Sequence, residues 1–492
     1  MPQFSKRVEA FLLRLRAMFW KVRIGLAIAL IPFIIRIIPE LIARPYPIGY
    51  DTIGSYVPFM LDWSAGNFKS FNPLIGGWIL YAVLGTTYTY THIDPVALTK
   101  LTSGLLYAGL GFSEYGFARR TLRWGQKKSG FLIVISSLYF VSLRISWDLF
   151  RNTLGLIVLF PALILNQGLL TRRRTVLLAA ISWLIVATHL LVGTLFLGIS
   201  LLGLIQAKEG KIPRTLAILP GIAEFVSSLV SFQFQGTSIL SVGASTVQPL
   251  SSYAFVGYTL LPLLPMAWIG FAKTANPAIR YWCGICLLGI ILGTTPLSTN
   301  SELITPDRWT LMLSVPTVIF AVEGYSRFDS KSLRKLFPLS KILKLSWLSL
   351  IVLLGITFLA LPAREAFPYF TYFASTSPTS MLQSTVPLED SQSLVTAISW
   401  LSTNASPGAV IMADHAMYGW LREYYRGNHT IIGFQSGFTL QQELTSTLNK
   451  GYHTIYTIWW VDNFGWYGEP SVPSGFLLVH QDAHIGVFLY VP

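Results

Sequence analysis

Six basic clusters, set between long apolar runs, constrain this sequence more than any other feature. They run from Lys6 to Arg23, Arg119 to Lys128, Arg172 to Arg174, Lys208 to Arg214, Lys273 to Arg280 and Arg327 to Lys344, and they hold 25 of the 36 Lys and Arg residues. The stretches between them reach the ~20 residues needed to cross a ~30 Å hydrocarbon core. Only 12% of the residues are charged, half the ~25% usual in soluble domains. An ordinary soluble enzyme is thereby excluded. Abundant aromatic residues exclude a disordered chain.

The net charge of +14 is unevenly held: residues 1–362 carry +19 and residues 363–492 carry −5. A basic chain suggests nucleic acid, but this partition points to basic loops on one side of a membrane and a mildly acidic domain elsewhere. No nucleic-acid partner is therefore expected. The positive-inside rule places all six clusters and the N-terminus in the cytoplasm, so an even number of crossings must separate neighbouring clusters.

That constraint predicts a first span over 22–43, an outer loop over 44–95 containing an interfacial helix at 73–91, and a return at 96–118. It further predicts a hairpin over 130–170 turning at Trp147-Asp148, and a hairpin of short helices over 176–206 turning near His189. Outer loops follow at 234–253 and 296–308, and a last span at 345–361 delivers the C-terminal part outside. The total is about eleven transmembrane helices. No cleavage site follows the first apolar run, which predicts a retained helix.

The expected fold is thus a polytopic α-helical membrane protein with a C-terminal extracytoplasmic α/β domain. Its divisions are 1–362, a Ser/Thr/Pro-rich linker at 363–393 and a domain at 394–492. In that last domain the patterning predicts helices at SQSLVTAISWLSTN and GWLREYY. Strands are predicted at AVIMAD, TIYTIWWV, FLLVH and GVFLYV.

This topology collects Tyr50, Asp51, Arg144, Asp148, Arg151, His189, Glu302, Asp307, Arg308 and Trp309 at one membrane face. Ionisable groups at membrane depth are costly and invite a functional reading. Asp51 reads either as a base able to take a proton from an acceptor hydroxyl or as a turn aspartate. Asp148, with Arg144 and Arg151 at i−4 and i+3, reads as a second carboxylate or metal ligand, or as an ion-paired helical turn. His189 is a ligand or a hydrogen-bonded structural group. Arg308 has the fork that matches phosphate oxygens, and with Trp309 it equally suits a headgroup anchor.

Other motifs read blandly. Cys283 and Cys286 lie in an apolar span as small buried hydrophobes, with no disulfide framework. His480, Asp482 and His484 alternate on a predicted strand, as a solvated face would. Asn428-His-Thr430 fits an N-glycosylation acceptor. The sequence contains no Walker-type loop and no Gly-x-Ser-x-Gly elbow.

Several of these motifs together resemble the GT-C superfamily of polytopic glycosyltransferases. They are Gly49-Tyr50-Asp51 after the first span, Asn72-Pro73-Leu74, Trp147-Asp148-Leu-Phe-Arg151-Asn and Asp307-Arg308-Trp309 before a late span. The superfamily includes dolichyl-phosphate-mannose-dependent mannosyltransferases, the aminoarabinose transferase of lipid A and the catalytic subunit of oligosaccharyltransferase. The resemblance implies a cell-membrane enzyme moving a sugar from a polyprenyl-phosphate donor to a glycan, lipid or protein acceptor on the outer face.

It further implies Asp51 and Asp148 as catalytic carboxylates around a divalent cation, Mg or Mn. Arg308, His189, Arg151, Tyr50 and Trp309 would bind substrate. The oligosaccharyltransferase motif Trp-Trp-Asp-Tyr-Gly is matched only in its Tyr-Gly at Asp414-His-Ala-Met-Tyr418-Gly419-Trp420, and a separate Trp459-Trp460-Val-Asp462 lacks the Tyr-Gly continuation, which favours transfer of single sugars. The competing expectations are a transporter or flippase for lipid-linked saccharides, with Glu114 and Glu224 as its mid-membrane charges, and an inactive envelope scaffold.

Overall fold

The computed structural model describes residues 27–67, 77–234, 249–295, 305–328, 340–360, 386–434, 440–461, 472 and 475–491. The N-terminal basic cluster, Asn72-Pro73-Leu74, Glu302, Asp462 and most of the expected linker lie outside these residues. The chain forms two compact units. One comprises the described residues of Met1–Ile38, Asn72–Leu80 and Thr102–Ile356, the other those of Pro39–Phe71, Tyr81–Leu101 and Thr357–Pro492.

The helical unit is built from α1 (27–42, its first part), α4 (Pro95–Arg120, its later part), α5 (Gln126–Leu138), α6 (Phe140–Asp148), α7 (Phe150–Leu165) and α8 (Arg172–Thr188). It continues with α9 (Leu190–Gln206), α10 (Lys211–Phe234), α11 (Pro249–Leu260), α12 (Leu264–Lys273), α13 (Pro277–Gly293), α14 (Pro306–Arg327) and α15 (Ser340–Ala360). Local sequence explains several ends. Asn276 caps α13 by accepting from Ala278 N at 3.0 Å, and Pro277 opens the helix. α14 opens at Pro306, with Asp307 in its first turn and Arg327 in its last, both complementing the helix dipole.

Three single-residue breaks shape this unit. Tyr139, extended at ψ 122°, separates α5 from α6, which bend by 68°. Leu149 separates α6 from α7. His189, extended at φ −161°, separates α8 from α9. α14 is buried along its length and crosses α12 where Gly324 and Gly270 bring the two backbones together. A Cβ at either glycine would strike the other helix's carbonyl oxygen (Met266 or Phe320).

Among the described residues, two helices, α10 and α15, are long and apolar enough to cross a membrane alone, or up to four spans exist if each bent pair counts as one. The eleven spans expected from the sequence exceed this number. The breaks at Tyr139 and His189 divide apolar runs into shorter helices, and α14 carries Asp307, Arg308, Glu323 and Arg327.

The second unit joins the segment after α1, including α2 (Val57–Ser64), most of α3 (Trp78–Thr91) and the start of α4, to the C-terminal sheet domain. α3 occupies part of the predicted interfacial helix. Along the C-terminal chain lie α16 (Ser391–Asn404), β1 (Val410–Asp414), α17 (His415–Tyr424), β2 (Thr430–Phe434) and α18 (Leu440–Asn449). β3 (Ile455–Trp460), β4 (Phe476–Asp482) and β5 (Ile485–Tyr490) follow.

The sheet runs β2-β1-β3-β5-β4, parallel across β2, β1 and β3 and antiparallel through β5 and β4. β1 and β3 are wholly buried, as central parallel strands covered on both faces must be. On one face Val410, Met412, Ile455 and Trp459 pack with Phe434, Leu440 and Leu444. α16 buries Leu394, Ala397, Ile398 and Leu401, the 3.6-residue stripe of an amphipathic helix. The predicted strands and helices of this domain are present. β2 and α18 are additional, because TIIGF and LQQELTSTLN carry too few alternating or periodic apolar residues to announce themselves.

Candidate active site

In the second unit, Asp51 stands at the N-terminal boundary of a π-helical turn, Thr52–Tyr56, that leads directly into α2. Gly49, at φ +105°, turns the chain into this position, a backbone conformation that glycine adopts without strain. π-turns cost hydrogen-bond geometry and are found mostly where a helix must re-aim a side chain. Asp51 is half-buried, as is Tyr50. Tyr56 is buried, its ring 5.5 Å from that of Tyr81 on α3, and Phe59 lies 4.4 Å from the same ring.

The first turn of α17 packs on this segment. Gly419 meets the Ile53 carbonyl oxygen so closely that no Cβ fits between them. The Tyr50 ring stands 6.1 Å from the imidazole of His415. His415 Nδ1 is 3.2 Å from the carboxylate of buried Asp414, which also accepts from Ala416 N at 2.8 Å. Further along α17, Arg422 Nη2 donates to Asp62 Oδ1 at 2.6 Å. The sequence motif that differs from Trp-Trp-Asp-Tyr-Gly is therefore the one that holds the Asp51 segment. What it supplies to that contact is the absence of a side chain at 419.

Also on α17, the Glu423 carboxyl is 5% exposed and its Oε2 has no hydrogen-bond partner among the described residues. Burial pushes its pKa up from 4.5 to about 7, with the Asp94 charge adding to the rise and Arg426 opposing it.

In the helical unit, Asp148 is fully buried at the end of α6, and Arg144, one turn earlier and 2% exposed, pairs with it. Of the two arginines flanking Asp148, the break at Leu149 separates it from Arg151. Arg151, half-buried on the first turn of α7, instead lies over Gly77, its guanidinium 3.0 Å from where a Cβ would stand. Gly77 N in turn donates to Ala187 O at 2.7 Å, next to the His189 break. His189 is buried and caps α9, its Nδ1 accepting from Val192 N at 3.4 Å. Arg308 is half-buried on the first turn of α14, and Trp309 is buried, packed over Gly289 of α13.

The sequence reading did not single out Arg36, yet this residue organises the Asp148 turn. It is wholly buried on α1, donating through Nε to Ser146 O at 3.2 Å and through Nη2 to Trp147 O at 2.6 Å. Its guanidinium sits 4.6 Å from the Trp147 ring. The signal was a lone arginine inside the apolar run IPFIIRIIPE, which the cost of a buried charge should have flagged. Glu114 takes a hydrogen bond from Ser136 Oγ at 3.0 Å, and Glu224 takes one from Trp183 Nε1 at 3.1 Å.

Among the described residues no three His, Cys, Asp or Glu side chains come together as a cation site. The Asp148 carboxylate, already held by Arg144 in a dry environment, would have to exchange a guanidinium for a metal.

The sequence matches no family model and no curated protein. Solved structures do match. ArnT from Cupriavidus metallidurans in the apo state aligns over 96% of this chain and 98% of its own, at 13% identity and a TM-score of 0.56. The same protein bound to undecaprenyl phosphate aligns over the same shares at 13% identity with a TM-score of 0.54. Arabinofuranosyltransferase AftD from Mycobacteria aligns over 96% of this chain and 40% of its own, at 11% identity and a TM-score of 0.52. Over nearly its whole length, this chain has the same fold as these solved structures.

Proposed function

We propose that the protein is an integral membrane glycosyltransferase that moves a sugar from a polyprenyl-phosphate-linked donor to an acceptor hydroxyl on the extracytoplasmic face. The observation that carries this reading is the alignment of nearly the whole chain with nearly the whole of ArnT, a protein seen with undecaprenyl phosphate bound. The placement of Asp51 at a π-turn supports it.

In this reading Asp51 takes the proton of the acceptor hydroxyl as its oxygen forms the new bond to C1 of the sugar. The bond from C1 to the phosphate oxygen breaks, and its electron pair leaves with the lipid phosphate. Because phosphate is already a good leaving group, charge stabilisation by Arg308 and Arg151 replaces a general acid. Tyr50, Trp309 and His189 are the further substrate-binding side chains in this reading. The N-terminus is cytoplasmic and the sheet domain extracytoplasmic.

The test is transfer by purified protein from a panel of undecaprenyl-phosphate sugars. Wild type should transfer one of them, and Asp51→Asn should abolish transfer while expression and thermal stability stay unchanged. Undiminished turnover in Asp51→Asn would remove Asp51 from the chemistry. Absence of transfer from every donor in the wild type would remove the function.

A further inference from the structure

The sheet domain has a cleft at the end away from Asp51. The segment carrying Asp51 meets α17 through His415 and Gly419, just past Asp414, where β1 ends. At the other end of this five-residue strand, roughly 13 Å back along it, the cleft opens between the end of α16, the starts of β1 and β2 and the residues before β3. Its volume is about 540 Å³, within the ~300–1,000 Å³ of small-molecule sites.

Hydrogen bonds hold its walls in place. A carbonyl oxygen can only accept, so His429 Nε2 donates to Ser406 O at 2.9 Å, and Nδ1 accepts from the Tyr425 hydroxyl. This imidazole ties the loop before β1 to the end of α17. Ser402 Oγ accepts from Arg426 N at 3.1 Å and donates to Ile398 O at 2.9 Å. Arg426 Nη1 donates to the carbonyl oxygens of Glu423 and Tyr425, which fixes the guanidinium. A cleft built in this way loses little further freedom when a ligand enters.

Within it, polar groups await partners. Arg426 Nε and Nη2, the Asn428 amide and the Tyr452 hydroxyl make no hydrogen bond among the described residues. Arg426 and Asn428 are exposed, while Tyr452 also packs against the core of the domain. Among the described residues no carboxylate lines the cleft, and Arg426 is the single Lys or Arg that does.

This lining selects by chemistry. A cation would meet Arg426 with no carboxylate to hold it. An apolar ligand would cover the guanidinium and the amide without replacing their water. A bare inorganic ion would leave most of the volume unfilled. A guanidinium fork matches carboxylate or phosphate oxygens. An amide donates and accepts, as a hydroxyl does, and a tyrosine ring with its polar tip suits a ligand with a C–H face and hydroxyls. We propose that this cleft binds a saccharide bearing one acidic group, its carboxylate or phosphate on Arg426 and its hydroxyls on Asn428 and Tyr452. The site is separate from the proposed transfer reaction, and its occupancy is measured without turnover.

The experiment is isothermal titration of the full chain, in a detergent without a sugar head group, with glucuronic acid, glucose 6-phosphate, glucose or inorganic phosphate. At least one acidic sugar should bind, about tenfold or more tighter than glucose, which lacks the group that pairs with the fork. Inorganic phosphate should not compete at equal concentration. Arg426→Gln should weaken binding of the acidic sugar about tenfold or more. Asn428→Asp should do the same by adding a carboxylate to the cleft, and since Asn428 has no hydrogen bond to lose, this variant decides if Arg426→Gln lowers Tm. Asp51→Asn, at the other end of β1, should keep the binding. The proposal is overturned if neither acidic sugar binds, if glucose or inorganic phosphate binds as tightly, if Asn428→Asp binds like the wild type, or if Asp51→Asn loses the binding.

Discussion

Gly419 on α17 and Ile53 in the π-turn meet backbone to backbone, with the Ile53 carbonyl oxygen occupying the space of a side chain at 419. The close approach sets where the turn, and with it Tyr50 and Asp51, stands against the sheet domain. Gly419→Ala must push the two segments apart. Overpacking of this kind costs about 1–3 kcal/mol. Both a lower Tm and a loss of transfer are expected, and unfolding and turnover measured on one preparation will show whether they fall together.

Asp148 and Arg144 form a buried ion pair, and breaking such a pair from one side costs about 3–5 kcal/mol because the other charge is left uncompensated. Asp148→Asn should therefore lower Tm markedly, whereas Asp51→Asn should not. The double change Asp148→Leu, Arg144→Met should recover much of the lost stability. If the double variant is stable and still transfers sugar, Asp148 is structural; if it is stable and inactive, Asp148 takes part in the reaction.

The Arg422–Asp62 pair is the opposite case. Its side chains are 26% and 22% exposed, and pairs that reach solvent contribute at most about 1 kcal/mol. Arg422→Met should shift Tm by only a degree or two at low salt, and less in 0.5 M salt, as differential scanning fluorimetry at two ionic strengths would show.

Stability should also depend on pH through Glu423. The folded chain holds this proton up to about pH 7, against an ordinary value of 4.5. Between those values the folded state binds more protons than the unfolded one, so stability falls as pH rises through that window and levels off above it. Tm should be higher at pH 5.5 than at pH 8. Glu423→Gln, neutral at every pH, should flatten this slope and raise Tm at pH 8. An unchanged slope in the variant would assign the dependence to other groups.

Legibility from sequence followed the physics of each element. The helical body and the sheet domain were readable because apolar periodicity survives in α15, α16 and β1 whatever surrounds them. Asp51 was readable as a candidate because Gly and Pro bracket it. The helix breaks were only half visible. His189 was placed at a turn, but nothing in SLYFVS or WDLFRN announces the non-helical residues Tyr139 and Leu149, because tertiary packing decides them. The same limit concealed the partner of Asp148. Arg144 stands one turn before Asp148 on α6, whereas the break at Leu149 puts Arg151 on a separate helix, α7. The interleaving of the segment after α1 with the C-terminal domain depends on contacts more than 300 residues apart, such as Asp62 with Arg422, and no local pattern encodes those.

The π-turn at Thr52–Tyr56 has a consequence for how this protein can change. Such a turn is an α-helix holding one surplus residue. Deleting any single residue within it would restore the ordinary helix and swing everything before it about 100° around the axis of α2, carrying Tyr50 and Asp51 to another face. Chain length at this point is therefore under tighter constraint than residue identity. A one-residue deletion here, though it would remove no charge and no hydrogen-bonding side chain if Ile53 were the residue lost, should abolish the proposed transfer as thoroughly as replacing the carboxylate.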